Sequence, residues 1–152
     1  MRKILVIVSL FLLSIASVSA QLQTVIVAEP IGSSTATYKN AAKTAMLNAM
    51  QGMSTINAVT NATADSIVAM ANVNHNSTDV SSATLTALQN LNNVNFVCYT
   101  IITENGGRIY LETMLLDCAT GKIVRPQTTI LGRNLSEVEE AMERFAKVLI
   151  FE

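Results

Sequence analysis

The sequence predicts an α/β chain of the α+β kind, a mixed β-sheet with helices packed on it, in the order β-α-β-α-α-β-β-β-α. Three observations point there. β-Branched apolar runs alternate with segments of helical period through the first part of the chain. Three strand-like runs separated by tight-turn signals follow. A strongly amphipathic helical stripe closes the chain, and no internal repeat or low-complexity linker interrupts it. Elements of this kind bury their apolar faces by laying helices on a sheet.

The chain opens with a short positive start, Arg2 and Lys3, then nearly continuous apolar sequence from Ile4 to Ala16. Small residues, Val18-Ser19-Ala20, follow where a signal peptidase needs them. The expectation is a signal peptide over residues 1–20, cleaved between Ala20 and Gln21, and one domain over residues 21–152. The apolar run is shorter than the roughly 20 residues a membrane span requires. Gln21 stands where a lipid-modified cysteine would be needed, so no stable membrane anchor is expected.

Leu22 to Ala28 reads as a central strand, apolar on both faces. Glu29 to Gly32 ends it, and Ser33 to Thr37 is a polar loop. Tyr38 to Met50 has helical period, with Tyr38, Ala42, Ala45, Met46, Ala49 and Met50 on one face and Gly52 as terminator. The methionines Met46, Met50 and Met53 are adaptable side chains whose expected use is core packing. Thr55 to Thr60 is a short strand. Thr63 is expected to cap a short helix with Ile67, Met70 and Ala71 as its stripe. Asn72 to Asp79 is a polar turn region. A third helix begins near Ser81 or Ser82, with Leu85, Leu88 and Leu91 inward.

Asn95 to Glu104 is a strand, Asn105-Gly106-Gly107 a hairpin turn, and Arg108 to Cys118 the return strand. Asn and Gly favour that turn because they accept positive φ at little cost. Ala119 to Lys122 turns again into a strand from Ile123 to Leu131, where Pro126 marks an edge or a bulge. Asn134 to Ile150 is a helix. Ser136 and Glu139 have capping-box spacing, and Val138, Ala141, Met142, Phe145, Val148 and Leu149 form the stripe.

Composition excludes several function classes. The formal charge is −1, and losing Arg2 and Lys3 takes it to −3, so no basic face for nucleic acid is expected. Cys98 and Cys118 are expected as buried free thiols. With the turn at Asn105-Gly106, Cys98 should face a position near 113, too far from Cys118 for a disulfide. These two thiols and the lone His75 are too few for a metal site. Gly106-Gly107 is too short to cradle a phosphate and leads into a hairpin, so no cofactor is expected.

Catalysis is not expected. A Ser-His-Asp set could draw on His75 with Asp65 or Asp79, but no serine sits in a nucleophile elbow. Paired carboxylates would come from Glu29, Asp65, Asp79, Glu104, Glu112 and Asp117, several of them at turns. Asn61, Asn76 and Asn134 begin N-glycosylation triplets, and Asp65-Ser66-Ile67 resembles a short O-glycan acceptor pattern. The loops with Ser33, Ser34 and Thr35 and with His75 and Asn76 are the expected contact surfaces, since loops on a rigid scaffold often carry binding.

The stretch from Asn93 to Val124, NVNFVCYTIITENGGRIYLETMLLDCATGKIV, together with the order of elements, resembles the CsgG/LpoB-like (TolB N-terminal-like) group of bacterial envelope domains. Asp117, Thr120 and Gly121 supply the D-x-x-T-G turn of that likeness. The group includes the curli secretion channel, activators of penicillin-binding proteins and TolB-type N-terminal domains. The resemblance implies a non-catalytic periplasmic module that binds other envelope proteins. The group's lipidation cysteine and the channel's long amphipathic hairpins are lacking, so a pore is not expected. A self-assembling structural protein, a homo-oligomer pairing through the sheet edge near Val124 to Leu131, is the alternative, and a hydrolase using His75 is the third reading.

Overall fold

The computed structural model describes residues 22–150. The expected signal peptide and the Ala20–Gln21 cleavage site lie outside the described residues. The elements are β1 (Gln23–Val27), α1 (Ala36–Gln51), β2 (Ile56–Val59), α2 (Ala62–Ala71), α3 (Ser82–Gln89), β3 (Phe96–Asn105), β4 (Arg108–Asp117), β5 (Ile123–Leu131) and α4 (Leu135–Ile150). The order is the one the sequence predicts. The five strands form one sheet in the order β2-β1-β3-β4-β5. β2, β1 and β3 run parallel, joined through helices, while β3, β4 and β5 are antiparallel through short turns.

Side-chain alternation sends each strand to two cores. Val25, Val27, Cys98, Ile102, Leu111 and Leu115 face α1 and α4. Ile26, Ala28, Val97, Tyr99, Met114 and Leu116 face α2 and α3. This two-sided burial is why β1 reads as an uninterrupted apolar run. Met46 and Met50 are fully buried in the first core, which is the packing role expected of them. Ala42, Ala45, Ala141 and Ala146 are buried in that core too, small enough for α1 and α4 to pack closely. Thr100 and Thr113 lie opposite each other on β3 and β4 and share a buried hydroxyl hydrogen bond of 3.2 Å, so neither polar group is left unsatisfied.

Several local expectations are corrected. Asn61, not Thr63, caps α2: its Oδ1 accepts from the backbone N–H of Thr63 (2.8 Å) and Ala64 (3.1 Å). At the start of α4, Asn134 Oδ1 accepts from the Ser136 N–H at 3.1 Å, in place of a Ser136–Glu139 box. Met70 is 73% exposed. The stripe of α2 is Ala64, Ile67, Val68 and Ala71, and Met70 lies roughly 110° from its centre at 3.6 residues per turn. Val148 is also exposed, its place in the α4 stripe taken by Ala146. α1 begins at Ala36, so the polar loop before it is shorter than Ser33 to Thr37.

The hairpin register differs by two from expectation. Asn105 pairs with Arg108 across Gly106-Gly107, which sets Cys98 opposite Leu115, not near 113. Cys98 then points into the first core and Cys118 into the second, and both are buried free thiols. Burial pushes the Cys98 thiol up to about 12 and the Cys118 thiol up to about 11, the latter helped by the Asp117 charge.

Gly32 has φ +101°, and a Cβ there would sit 2.5 Å from the Ile102 carbonyl oxygen. Only glycine lets the chain after β1 run beside β3, where Ile31 bridges Ile101. Gly32→Ala should therefore lower unfolding free energy by roughly 1–3 kcal/mol, read from urea titration. At pH 8 both thiols of the native protein should resist a water-soluble thiol reagent and react at once in denaturant.

Candidate functional site

Coverage of the two sheet faces is unequal, and this follows from helix length. α1 and α4 have 16 residues each, about 24 Å at 1.5 Å per residue, and cover their face along much of its length. α2 and α3 have 10 and 8 residues, about 15 and 12 Å. β4 has 10 residues and runs about 33 Å. The second face is therefore covered at the β1 side and left open towards the free end of the β3–β4 hairpin.

The Asn72–Val80 segment closes part of the gap. Val73 O accepts a buried hydrogen bond from the Tyr99 hydroxyl at 3.3 Å. His75 N–H donates to Glu112 Oε2 at 3.0 Å, and His75 Nδ1 lies 3.1 Å from the same oxygen. The segment then reaches the outer edge of β5: Ile123 N–H donates to Thr78 O and Val80 N–H to Gly121 O, both at 2.9 Å. Beyond His75 no described element covers the face at Tyr110 and Ile130. Tyr110 and Ile130 lie opposite each other on β4 and β5, 39% and 55% exposed, beside the Glu112–Thr128 pair. With His75 as a wall they line a groove of about 190 Å³.

The edge beside this groove is open as well. Thr113 pairs with Gln127 but Leu115 with Val124, so Arg125 and Pro126 oppose Met114 alone. This is the bulge Pro126 signals, with Arg125 at φ +51°. The Arg125 guanidinium donates to the Leu149 carbonyl at 2.9 Å and ties the bulge to the end of α4. Past the bulge, Gln127 to Leu131 pairs with β4 only. Among the described residues no further backbone hydrogen bond reaches its outer side. A larger depression, about 260 Å³, lies at the other end of the sheet between Phe96, Val124 and Leu149, where Arg125 bridges to α4.

The sequence-predicted residues do not converge on one site. Ser34 Oγ and the Thr35 N–H donate to Glu104, at 3.0 and 3.2 Å, and Arg133 donates to its other oxygen at 3.1 Å. The Thr35 N–H first, then the Ser34 hydroxyl, hold the Glu104 carboxyl below its ordinary range. Glu104 shares the Ile102 side of β3, whereas Glu112 and His75 lie on the opposite face, so the two loops form separate surfaces. Ser33 is exposed, and Asn76 is exposed with its N–H donating to Asn74.

Asp65 accepts from the Glu29 N–H, Asp79 accepts from the Thr78 hydroxyl, and Lys43 pairs with Glu29. Among the described residues no hydroxyl or thiol is hydrogen-bonded to His75. The family-like turn is a structural corner: Asp117 Oδ1 accepts from the Ala119 and Thr120 N–H groups, and Thr120 Oγ1 accepts from the Lys122 N–H. Gly121 at φ +73° packs where a Cβ would meet Val80 and Leu85. Of the glycan-type motifs, Asn61 and Asn134 are engaged as caps, and the Ser66 hydroxyl donates to Ala62 O within α2. Tyr110, Thr128 and Ile130 are the residues sequence reasoning missed. The signal lay in the β4 alternation, where Tyr110 falls on the side opposite Ile109 and Leu111.

Among the described residues no group of three or more His, Cys, Asp or Glu could hold a metal ion, and no helix is long and apolar enough to cross a membrane. No family model and no curated protein sequence matches the chain. Solved structures do match. A PelC dodecamer variant from Paraburkholderia phytofirmans is similar with a TM-score of 0.55 at 14% identity, over 85% of this chain and 89% of that one. The LpoB C-terminal domain from Salmonella enterica is similar with a TM-score of 0.50 at 14% identity, over 74% of this chain and 85% of that one. At such identity the likeness is one of fold, and the fold is that of LpoB-like domains.

Because its folded carboxyl lies below the ordinary value of 4.5, Glu104 adds stability above that pH and loses it as pH falls through the lower folded value. Glu104→Gln should thus lose less urea resistance than the wild-type chain between pH 6 and pH 3, starting from a lower midpoint at pH 6.

Proposed function

We propose that the chain is an exported, non-catalytic module of a bacterial cell envelope that acts by binding other envelope proteins in the periplasm. Within that reading it is an accessory of the penicillin-binding-protein-activator or surface-structure-assembly kind, as the CsgG/LpoB-like resemblance implies. The observation that carries it is the pairing of exposed apolar side chains, Tyr110 and Ile130, with an edge of β5 whose outer side no described residue pairs. The fold shared with PelC and the LpoB C-terminal domain supports an envelope setting. The carboxylates and His75 are spent on the chain's own backbone and ion pairs, which supports contact over catalysis.

A second reading has one specific observation behind it. The similar PelC structure is a dodecamer, and an open edge is a natural place for copies to pair. Light scattering at high concentration separates the two, since self-assembly requires a mass above that of one chain.

A photo-crosslinking amino acid introduced at Thr128 should form adducts with another envelope protein in cells, while the same group at exposed Ser66 on α2 should not. Adducts at Ser66 alone, or at neither position, would overturn the reading. Tyr110→Ala with Ile130→Ala should abolish the Thr128 adduct while changing stability by only about 0.5 kcal/mol per site, because both side chains are exposed.

A further inference from the structure

We propose that Asn105 is a site of spontaneous covalent modification, at which the side-chain amide closes on the Gly106 nitrogen and the turn that aligns the two cores converts to aspartate and isoaspartate. This chemistry needs no partner and does not depend on the protein-binding reading above. The Gly106 nitrogen bonds to Asn105 Cγ, the Cγ–Nδ2 bond breaks, and the displaced amine leaves with the Gly106 amide proton as ammonia. The product is a cyclic succinimide. Water then opens the ring at either carbonyl. Cleavage at Cγ gives aspartate, and cleavage at the main-chain carbonyl gives isoaspartate, whose chain runs on through Cγ. The net change is one water consumed and one ammonia released.

The reaction requires a free side-chain amide, a free nitrogen on the next residue, and room for the ring. Asn105 is the only asparagine in the chain followed by glycine, which has no Cβ to hinder the approach. Asn105 and Gly106 are both exposed, and a Cβ built on Gly106 would meet no atom within 4 Å. Among the described residues no hydrogen bond engages the Asn105 side chain or the Gly106 N–H. Asn105–Arg108 is also the last pair of the β3–β4 ladder, where local opening costs least. The exposed asparagines of the polar loop show the contrast. The nitrogen Asn74 needs is that of His75, which donates to Glu112 Oε2 at 3.0 Å. The nitrogen Asn76 needs is that of Ser77, which donates to Asn74 O at 2.9 Å. Asn61, Asn95 and Asn134 each have Oδ1 engaged by a backbone N–H.

The two products differ in what they do to the fold. Aspartate keeps the main chain intact and sets a carboxylate opposite Arg108, an opposite-charge cross-strand pair. Isoaspartate adds a carbon to the main chain at the residue that closes the two-residue turn. The lengthened turn no longer matches the twist of its strands. Strand register is what sends Leu111 and Leu115 to one core and Met114 and Leu116 to the other, so isoaspartate weakens both cores through a single residue.

The test holds the purified protein in buffer at pH 8 and samples it over weeks. Mass spectrometry of its proteolytic peptides should show the amide-to-acid mass gain at Asn105 at least about tenfold faster than at Asn74 or Asn76, whose reacting nitrogens must first break a hydrogen bond. An isoaspartyl methyltransferase with a labelled methyl donor should label the Asn105 peptide, and Asn105→Gln should remove that label. In denaturant Asn74 and Asn76 should react faster than in the native protein, while Asn105 reacts in either state. Urea titration should give Asn105→Asp the wild-type midpoint and the aged protein an added transition at lower urea. Native rates at Asn74 or Asn76 equal to that at Asn105, or an Asn105 that reacts in denaturant but stays intact in the native protein, would overturn the proposal. Isoaspartate formed at Asn105 with an unchanged urea midpoint would overturn its effect on the cores.

Discussion

The β3–β4 ladder is the interaction on which the rest of the molecule depends. Ten residues of each strand pair without interruption, from Phe96–Asp117 to Asn105–Arg108. Their register is set by Gly106 and Gly107, both at positive φ, in a two-residue turn whose twist matches the strands. A slip of one residue would exchange the faces of the slipped strand. Leu111 and Leu115 would leave the α1–α4 core, and Met114 and Leu116 the α2–α3 core. The ladder also receives the parallel half of the sheet through β1 and the edge strand through β4. Two separate cores are therefore aligned by one turn.

The same ladder explains why one region stays bare. Its strands are longer than the two short helices that pack on the second face, and the loop carrying His75 bridges only part of the difference. Glu112 is the anchor of that loop. Glu104, at the hairpin end and on the other face, fastens the start of α1 and the approach to α4 through Ser34, Thr35 and Arg133. Both acids act as struts. The open edge past the Arg125–Pro126 bulge then lies on a braced surface, which suits recognition because little order has to be gained on binding.

Much of the fold was legible in the sequence. Period-2 and helical spacings gave the nine elements of the described residues, and Asn105-Gly106-Gly107 and Pro126 marked the turn and the bulge. Caps were less legible: Asn61 and Thr63 both have capping oxygens two residues apart, and which one ends the helix depends on where the chain leaves β2. Met70 misled because spacing from Ile67 alone ignores that Ala64 and Val68 set the true stripe. The two polar loops lie on opposite faces of the sheet. His75 does border the groove, but Ser34 and Thr35 are bound to Glu104 on the other face. The β4 alternation sets Tyr110 on the side opposite Ile109 and Leu111, but its exposure and that of Ile130 come from helix length and strand order, which no local window contains.

Native-state hydrogen exchange on the unliganded protein tests the central claim most directly. Amides of the paired β3 and β4 residues should exchange slowest, and Ile123, whose N–H is held by Thr78 O, should be protected. Within Gln127 to Leu131, alternate amides should exchange as fast as solvent-exposed backbone. Uniform protection along β5 would contradict an open edge, and fast exchange across β3 and β4 would contradict the ladder as the support of the fold.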